Sequence, residues 1–277
     1  MMQQENLEIR NKYSKLQKEI NKYGSAIVAF SGGVDSTFLT KVTFDVLGEN
    51  MLAVTAKSET YSDSELACTK EFSGKYGIPH IIIETSELGI EHFAENPANR
   101  CYYCKQELYS KLTNIKNDLS FSYVFDGSNA DDIHDYRPGM QAVDELGIKK
   151  PLLDSGLTKN DIRALSKELG LETHDKPAMA CLSSRFPYGT KITLNNIRMV
   201  GAAETFIKNL GVSQLRVRYH GDVARIETDE NYFFLLLENR EIIVKALKDI
   251  GFKYITVDIE GYRTGSLNEP LFVVDRK

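Results

Sequence analysis

The stretch Ile27-Val28-Ala29-Phe30-Ser31-Gly32-Gly33-Val34-Asp35-Ser36-Thr37 decides how the chain is read. Ala26 to Phe30 is a short apolar run of the kind used by buried strands, and the residues from Val34 onward carry a helix start. The Ser-Gly-Gly between them has almost no side-chain bulk. Such a turn points several backbone N–H groups into one concavity, at the positive end of the helix that follows. The guest it suits is an anion, most simply the phosphates of a nucleotide. Asp35 is placed to hold the Mg²⁺ that accompanies polyphosphate, and Ser31 and Ser36 offer further hydrogen bonds.

Two other phosphate loops are excluded. The stretch lacks a Gly-Lys-Ser/Thr ending, and it lacks the third glycine and downstream acid of a dinucleotide fold. Ser31-Gly-Gly-Val-Asp-Ser36 resembles instead the SGGxDS signature of the PP-loop ATP pyrophosphatases. The resemblance implies that Ser31, Gly32, Gly33, Asp35, Ser36 and Thr37 grip ATP with its Mg²⁺. It also implies transfer of AMP to an acceptor with release of pyrophosphate, Asp35 taking part in the chemistry.

Outward from this stretch, helix and strand signals alternate. An amphipathic helix over residues 5–23 carries Ile9, Tyr13, Leu16, Ile20 and Tyr23 at helical spacing. After the loop come a helix to about Val46, a strand Met51 to Thr55, a helix Ser62 to Tyr76 with Glu65 in capping-box position, and a strand His80 to Ile83. Glu95 to Leu112 is helical in its later part, and Tyr123 to Phe125 is a fourth strand. This order predicts an α/β fold with a doubly wound parallel sheet. Ligands on such sheets bind beyond the carboxyl ends of the strands. The Ser-Gly-Gly loop, Ala56-Lys57-Ser58 and Asp126-Gly-Ser-Asn129 all lie there, so Ser58 and Asp126 join the candidate nucleotide site. Thr158 is read as the N-cap of a helix to about Leu169, and 172–190 as an aperiodic loop. From about Lys191 a helix (194–210), strands (214–219 and 222–227), a helix (231–250) and a strand (254–258) make a smaller α+β unit. The expected domains are 1–190, with the phosphate loop and all the candidate ligand cysteines, and 191–277.

The 277 residues suffice for two cored domains, and 42% hydrophobic with 26% charged residues describes an ordinary globular composition. A formal charge of −5, from 34 basic and 39 acidic residues, weighs against a general nucleic-acid binder. No apolar run approaches roughly 18 residues and the N-terminus is polar, so neither a membrane span nor a signal peptide is expected, and a cytoplasmic location is the default.

Four cysteines are too few and too unevenly placed for a secreted disulfide framework. Cys101 and Cys104 are three apart and share a helix face; they read either as small core hydrophobes or as ligands. Cys181 lies in a Gly/Ser/Pro-containing loop beside Ser183, Ser184 and Arg185. Cys68, near Leu66 and Phe72, reads as core. Three thiolates without a fourth ligand suit a four-iron cluster with one open iron, or a zinc with one exchangeable position.

Ser183 to Thr190 (Ser-Ser-Arg-Phe-Pro-Tyr-Gly-Thr), Asp135-Tyr-Arg-Pro-Gly139 and Arg216-Val-Arg-Tyr-His220 are similar to blocks of the LarE family. Its members are PP-loop sulfur transferases that build the nickel-pincer nucleotide cofactor of lactate racemase, and the similarity runs from about residue 20 to 265. It implies ATP-dependent adenylation of a carboxylate of a pyridinium dicarboxylate mononucleotide, then displacement of AMP by a sulfur nucleophile to leave a thiocarboxylate. Members that sacrifice a cysteine would carry it at Ala180. This chain resembles instead the three-cysteine branch, with Cys101, Cys104 and Cys181 holding a 4Fe-4S cluster that carries the sulfide, drawn from free sulfide or a sulfur-donor system. Arg185, Arg216 and Arg218 are suited to a bidentate grip of the substrate phosphate, and the resemblance assigns Ser184, Arg216 and Arg218 to it. Cys181 and Arg185 are expected to have catalytic parts, Arg137 either to reach the nucleotide or to stabilise its turn, and the resemblance implies a trimer-based homo-oligomer. It links Glu204 and Glu227 to metal binding near subunit contacts, although by themselves they read as surface charges. Arg216 and Arg218, by alternation alone, read as a solvated strand face. Glu87 to Arg100 reads as a lid over the activated acyl group. The rival readings are a cluster-dependent tRNA-thiolation enzyme, an amide-forming PP-loop synthetase, and a nucleotide sensor without chemistry.

Overall fold

The structure is a computed structural model that describes residues 2–61, 63–134, 138–177, 180–263 and 265–269. Its elements are α1 (Met2–Tyr23), β1 (Ala26–Ala29), α2 (Val34–Leu47), β2 (Met51–Lys57), α3 (Asp63–Tyr76), β3 (His80–Glu84), α4 (Arg100–Asp118) and β4 (Tyr123–Phe125). Three short helices follow, α5 (Pro138–Glu145), α6 (Pro151–Asp154) and α7 (Lys159–Glu168). Beyond the Cys181 loop come α8 (Leu194–Asn209), β5 (Leu215–His220), β6 (Val223–Thr228), α9 (Phe233–Glu238), α10 (Arg240–Ile250) and β7 (Tyr254–Val257). Contacts divide the chain into two units. Met1–Ser86 and Asn99–Met179 form the first; Glu87–Ala98 and Ala180–Lys277 form the second.

In the first unit the four strands are all parallel, in the order β3-β2-β1-β4. Side chains alternate across the sheet. Ala26, Val28, Phe30, Met51 and Ala53 join one core with Leu16 and Ile20 of α1, Phe38, Leu39 and Val42 of α2, and Ile162 and Leu165 of α7. Ile27, Leu52, Val54 and Val124 join the other, with Tyr109 and Leu112 of α4 and Val143 of α5. The sheet is therefore covered on both faces, which is why Ala26 to Phe30 is continuously apolar rather than alternating. Each wholly buried side chain such as Phe38 contributes about 1.5–3 kcal/mol of transfer free energy.

From β1 the chain runs outward through β2 and β3, then returns to β4 on the far side of β1. The strand order reverses between β1 and β4, and the crevice at such a reversal is where ligands bind in sheets of this kind. Gly127 closes the geometry. A Cβ there would lie 3.3 Å from the Ser36 nitrogen, so its absence lets the loop after β4 rest on the first turn of α2. Helix α7 begins as the sequence predicts. Thr158 Oγ1 accepts from the Asp161 N–H, and the Asp161 carboxylate accepts from the Thr158 N–H.

The second unit carries a three-stranded sheet, β5-β6 antiparallel and β6-β7 parallel. Within this unit, Glu87–Ala98 is bonded to the Cys181 loop rather than hanging as a lid. Gly189 N–H donates to Asn96 O (2.9 Å), Ile192 N–H to Ala94 O (2.8 Å), and the Asn96 amide to Phe186 O (3.2 Å) and Pro187 O (2.8 Å).

Other expectations are corrected. The helix read over 231–250 is two, parted at Asn239, whose amide donates to the Leu235 carbonyl (2.9 Å) and competes with the backbone ladder. Helices α5 and α6 fall where no helix was read. Cys68 is exposed on α3, not core. The capping role of Ser62 lies outside the described residues.

Candidate functional site

The phosphate loop is built as its composition dictates. Phe30 N–H still donates to Val54 O (2.9 Å), the last bond of the sheet before the turn. Gly32 takes a positive φ of 71°, and a Cβ there would approach Thr69 Cγ2 to 2.9 Å, so glycine is required on both counts. Helix α2 starts behind Gly33, which has no side chain to cap it, leaving first-turn N–H groups to an anion. Ser31 Oγ and Ser36 Oγ lie 3.0 Å apart, and Ser36 Oγ also accepts from the Ser31 N–H (3.2 Å), so each holds the other in place. Asp35 Oδ1 and Thr37 Oγ1 are buried with no hydrogen-bond partner among the described residues. An orphaned carboxylate oxygen beside a phosphate loop fits a hard cation such as Mg²⁺.

Three side chains that no motif singled out close on the loop. Tyr61 O–H donates to Ser31 O (2.8 Å), Lys176 Nζ to Gly32 O (2.9 Å) and Lys159 Nζ to Asp35 Oδ2 (2.6 Å). Ser58 lies in the turn after β2, bonded to Thr60 (3.1 Å). Asp126, at the end of β4, is almost wholly buried and accepts from Lys105 Nζ (2.6 Å), Tyr109 O–H, Ser128 O–H and Ser128 N–H (2.8 Å). Burial by itself would raise its pKa. The Lys105 ammonium and these hydrogen bonds outweigh that and hold the carboxyl well below the usual range. Lys105 shifts the other way, burial lowering it and the Asp126 carboxylate raising it further.

On α4, Cys101 is exposed and Cys104 half-buried, so the core reading of this pair is not met for Cys101. Both belong to the first unit and Cys181, also exposed, to the second. Within either unit, no three His, Cys, Asp or Glu side chains among the described residues gather as a metal site. None of the three cysteines is in a disulfide, and thiolates are the donors that an iron–sulfur cluster takes. Arg137 lies outside the described residues.

The second unit gathers Ser184, Arg185, Arg216 and Arg218. Arg185 grips Glu204 with Nε to Oε1 (2.7 Å) and Nη2 to Oε2 (2.9 Å), while Nη1 donates to Ala180 O (2.8 Å), Cys181 O (3.2 Å) and Ser184 Oγ (2.8 Å). It is a tie between the Cys181 loop and α8. Arg218 donates to Glu227 Oε2 (2.9 Å), Ser184 O (2.7 Å) and Ser266 Oγ (3.0 Å). Arg216 sets its guanidinium 5.2 Å from the centre of the Tyr262 ring. Glu204 and Glu227 are therefore not surface charges: they are 3% and 1% exposed and serve as the arginines' counter-ions. Nor are Arg216 and Arg218 solvated, each being 7% exposed. Burial, and then the neighbouring Arg185 guanidinium, lower the pKa of Arg216. Beside them a cleft of about 690 Å³ is lined by residues of both charges, Arg218, Arg225 and Arg263 with Asp258, Glu260 and Glu269.

Sequence reasoning missed Lys159, Lys176, Tyr61 and the Lys105–Tyr109 pair. Lys159 had one signal, its place directly behind the Thr158 cap, and Lys105 had its place directly behind Cys104. Lys176, in an aperiodic segment, had none.

No family model matches the chain. An uncharacterized protein of Synechocystis is 40% identical over 265 residues, 95% of this chain and 99% of that protein. The pyridinium-3,5-bisthiocarboxylic acid mononucleotide synthase of Lactiplantibacillus plantarum is 40% identical over 247 residues, 88% of this chain and 89% of that enzyme. A subunit of the glutamine-hydrolyzing GMP synthase of Thermoplasma volcanium is 27% identical over 169 residues, 56% of this chain and 54% of that subunit.

Proposed function

The chain belongs to the family of pyridinium-3,5-bisthiocarboxylic acid mononucleotide synthases, the LarE family, and from that premise we propose that it is an ATP-dependent sulfur transferase acting on a pyridinium dicarboxylate mononucleotide. The observation that carries this reading is the second unit's cluster of three buried guanidiniums, Arg185, Arg216 and Arg218, against two buried carboxylates, Glu204 and Glu227. Buried guanidiniums next to the Ser184 hydroxyl are suited to grip a phosphate monoester. An amide-forming synthetase gives no reason for it, and the similarity to the GMP synthase extends over only about half of the chain.

The chemistry divides between the units. A substrate carboxylate oxygen attacks the α-phosphorus of ATP, the bond to the bridging oxygen breaks, and pyrophosphate leaves with the electron pair. The first-turn N–H groups of α2, Ser31, Ser36 and Thr37 receive its charge, and Asp35 would hold Mg²⁺, which when bound supplies further positive charge. Ser58 and Asp126, at neighbouring strand ends, flank the nucleotide, and Arg137 belongs to the same reading. Ser184, Arg216 and Arg218 hold the substrate phosphate. A sulfur nucleophile then adds to the acyl carbon and AMP departs, leaving a thiocarboxylate. Cys101, Cys104 and Cys181 would hold a 4Fe-4S cluster, which when bound supplies the sulfide. Arg185 acts on this step by position, since its Nη1 fixes the carbonyl of Cys181. A homo-oligomer built on trimers and a cytoplasmic setting complete the proposal.

The test is pyrophosphate release from ATP with each acceptor in turn. Release that requires the dicarboxylate nucleotide supports the reading. Release that responds to ammonia or tRNA in its place would transfer the chain to one of its rivals.

A further inference from the structure

The signature loop Ser31-Gly-Gly-Val-Asp-Ser36 contains no lysine. Loops that end in Gly-Lys-Ser/Thr bring their own ammonium to the β- and γ-phosphates; this one receives two from far along the chain. Lys176 bonds the Gly32 carbonyl from 144 residues away, and Lys159 bonds Asp35 from 124 residues away. The backbone of Lys159 is fixed, because its N–H donates to Asp131 Oδ2 (2.8 Å) and it opens α7 behind the Thr158 cap. Its side chain remains 29% exposed and reaches Asp35 by the ammonium end. Asp35 thus has Oδ2 occupied by an ammonium and Oδ1 buried with no hydrogen-bond partner among the described residues. A divalent cation at Oδ1 and the Lys159 ammonium at Oδ2 would share one carboxylate, and their like charges repel across it.

We propose that Lys159 occupies the Asp35 carboxylate until Mg²⁺ arrives with ATP, and then carries its ammonium to the pyrophosphate end of the nucleotide. The proposal rests on the reading of Ser31–Ser36 as an ATP phosphate loop. Metal and nucleotide then enter together, because Mg²⁺ alone cannot displace the ammonium without stranding it, whereas MgATP offers it phosphate oxygens. When the bond between the α-phosphorus and the bridging oxygen breaks, the electron pair goes to pyrophosphate, where Lys159 meets the new charge. Lys176 stays on the Gly32 carbonyl and keeps the loop's N–H groups aimed at the same oxygens.

The experiment uses the full chain as wild type, Lys159→Met and Lys159→Arg, with thermal melts to show that all three fold. Mn²⁺ binding without nucleotide is followed by electron paramagnetic resonance, and binding of the Mg²⁺ complex of α,β-methylene ATP by calorimetry. Lys159→Met is expected to tighten Mn²⁺ binding about tenfold or more and to weaken the analogue by a similar factor, with Lys159→Arg close to wild type in both. Unchanged Mn²⁺ affinity in Lys159→Met, or unchanged affinity for the analogue, overturns the exchange. Failure of the wild type itself to bind the analogue overturns the phosphate-loop reading, and the exchange with it.

Discussion

Arg185 and Glu204 make the most consequential pair of side chains in the second unit. Both are almost wholly buried, and the pair ties the loop of Cys181 to α8. Removing the carboxylate alone leaves a buried guanidinium without its counter-ion, a loss of about 3–5 kcal/mol. Glu204→Ala should therefore lower the urea midpoint sharply, while the double variant Arg185→Met/Glu204→Ala should recover much of the difference. A second residue-scale expectation concerns acid. Asp126 has its pKa depressed by Lys105 and its hydrogen bonds, so its contribution is complete above the ordinary carboxylate value and is lost as pH falls through the depressed one. In urea unfolding followed downward from about pH 7, the stability gap between wild type and Asp126→Asn should hold constant to about pH 4 and then narrow. Asp35 could be read from sequence because its motif is contiguous. Lys159 and Lys176 could not, because folding brings them to the loop across sequence separations of 124 and 144.

At the scale of elements, the strands were legible and the connections were not. Ala26–Phe30 declares itself because two helical layers bury both of its faces, so nothing polar interrupts it. The break at Asn239 is carried by a single amide that an apolar periodicity does not register. The segment Glu87–Ala98 has no periodicity because it is held by individual bonds, above all those of Asn96, which sits at a φ of 57° and is wholly buried. Asn tolerates that left-handed backbone better than Ala does, and its amide holds two carbonyls of the Cys181 loop. Asn96→Ala should cost about 1–3 kcal/mol from the lost hydrogen bonds, with backbone strain added, and Asn96→Gly should recover only the strain. Hydrogen exchange at residues 181–190 checks this. Faster exchange in both variants, greater in the alanine one, is the expected result.

At the scale of the whole molecule, the fold class was plain in the order of strands and helices, and the reversal of strand order beside β1 accounts for the phosphate loop's position. The arginine cluster of the second unit was harder to read. Arg216 and Arg218 look like one face of an alternating strand, and only the buried carboxylates around them, Glu227 on β6 bonded to Arg218 and Glu204 on α8 accepting from the Val217 N–H, show that the face is buried. Cys101 and Cys104 lie in the first unit and Cys181 in the second. The most direct measurement of the account is the mass of the nucleotide product from an anaerobic reaction of the full chain with MgATP, sulfide and the pyridinium dicarboxylate mononucleotide. The account predicts one oxygen replaced by sulfur for each pyrophosphate released. Pyrophosphate released with the nucleotide returned unchanged in mass, or bearing nitrogen in place of oxygen, would contradict it.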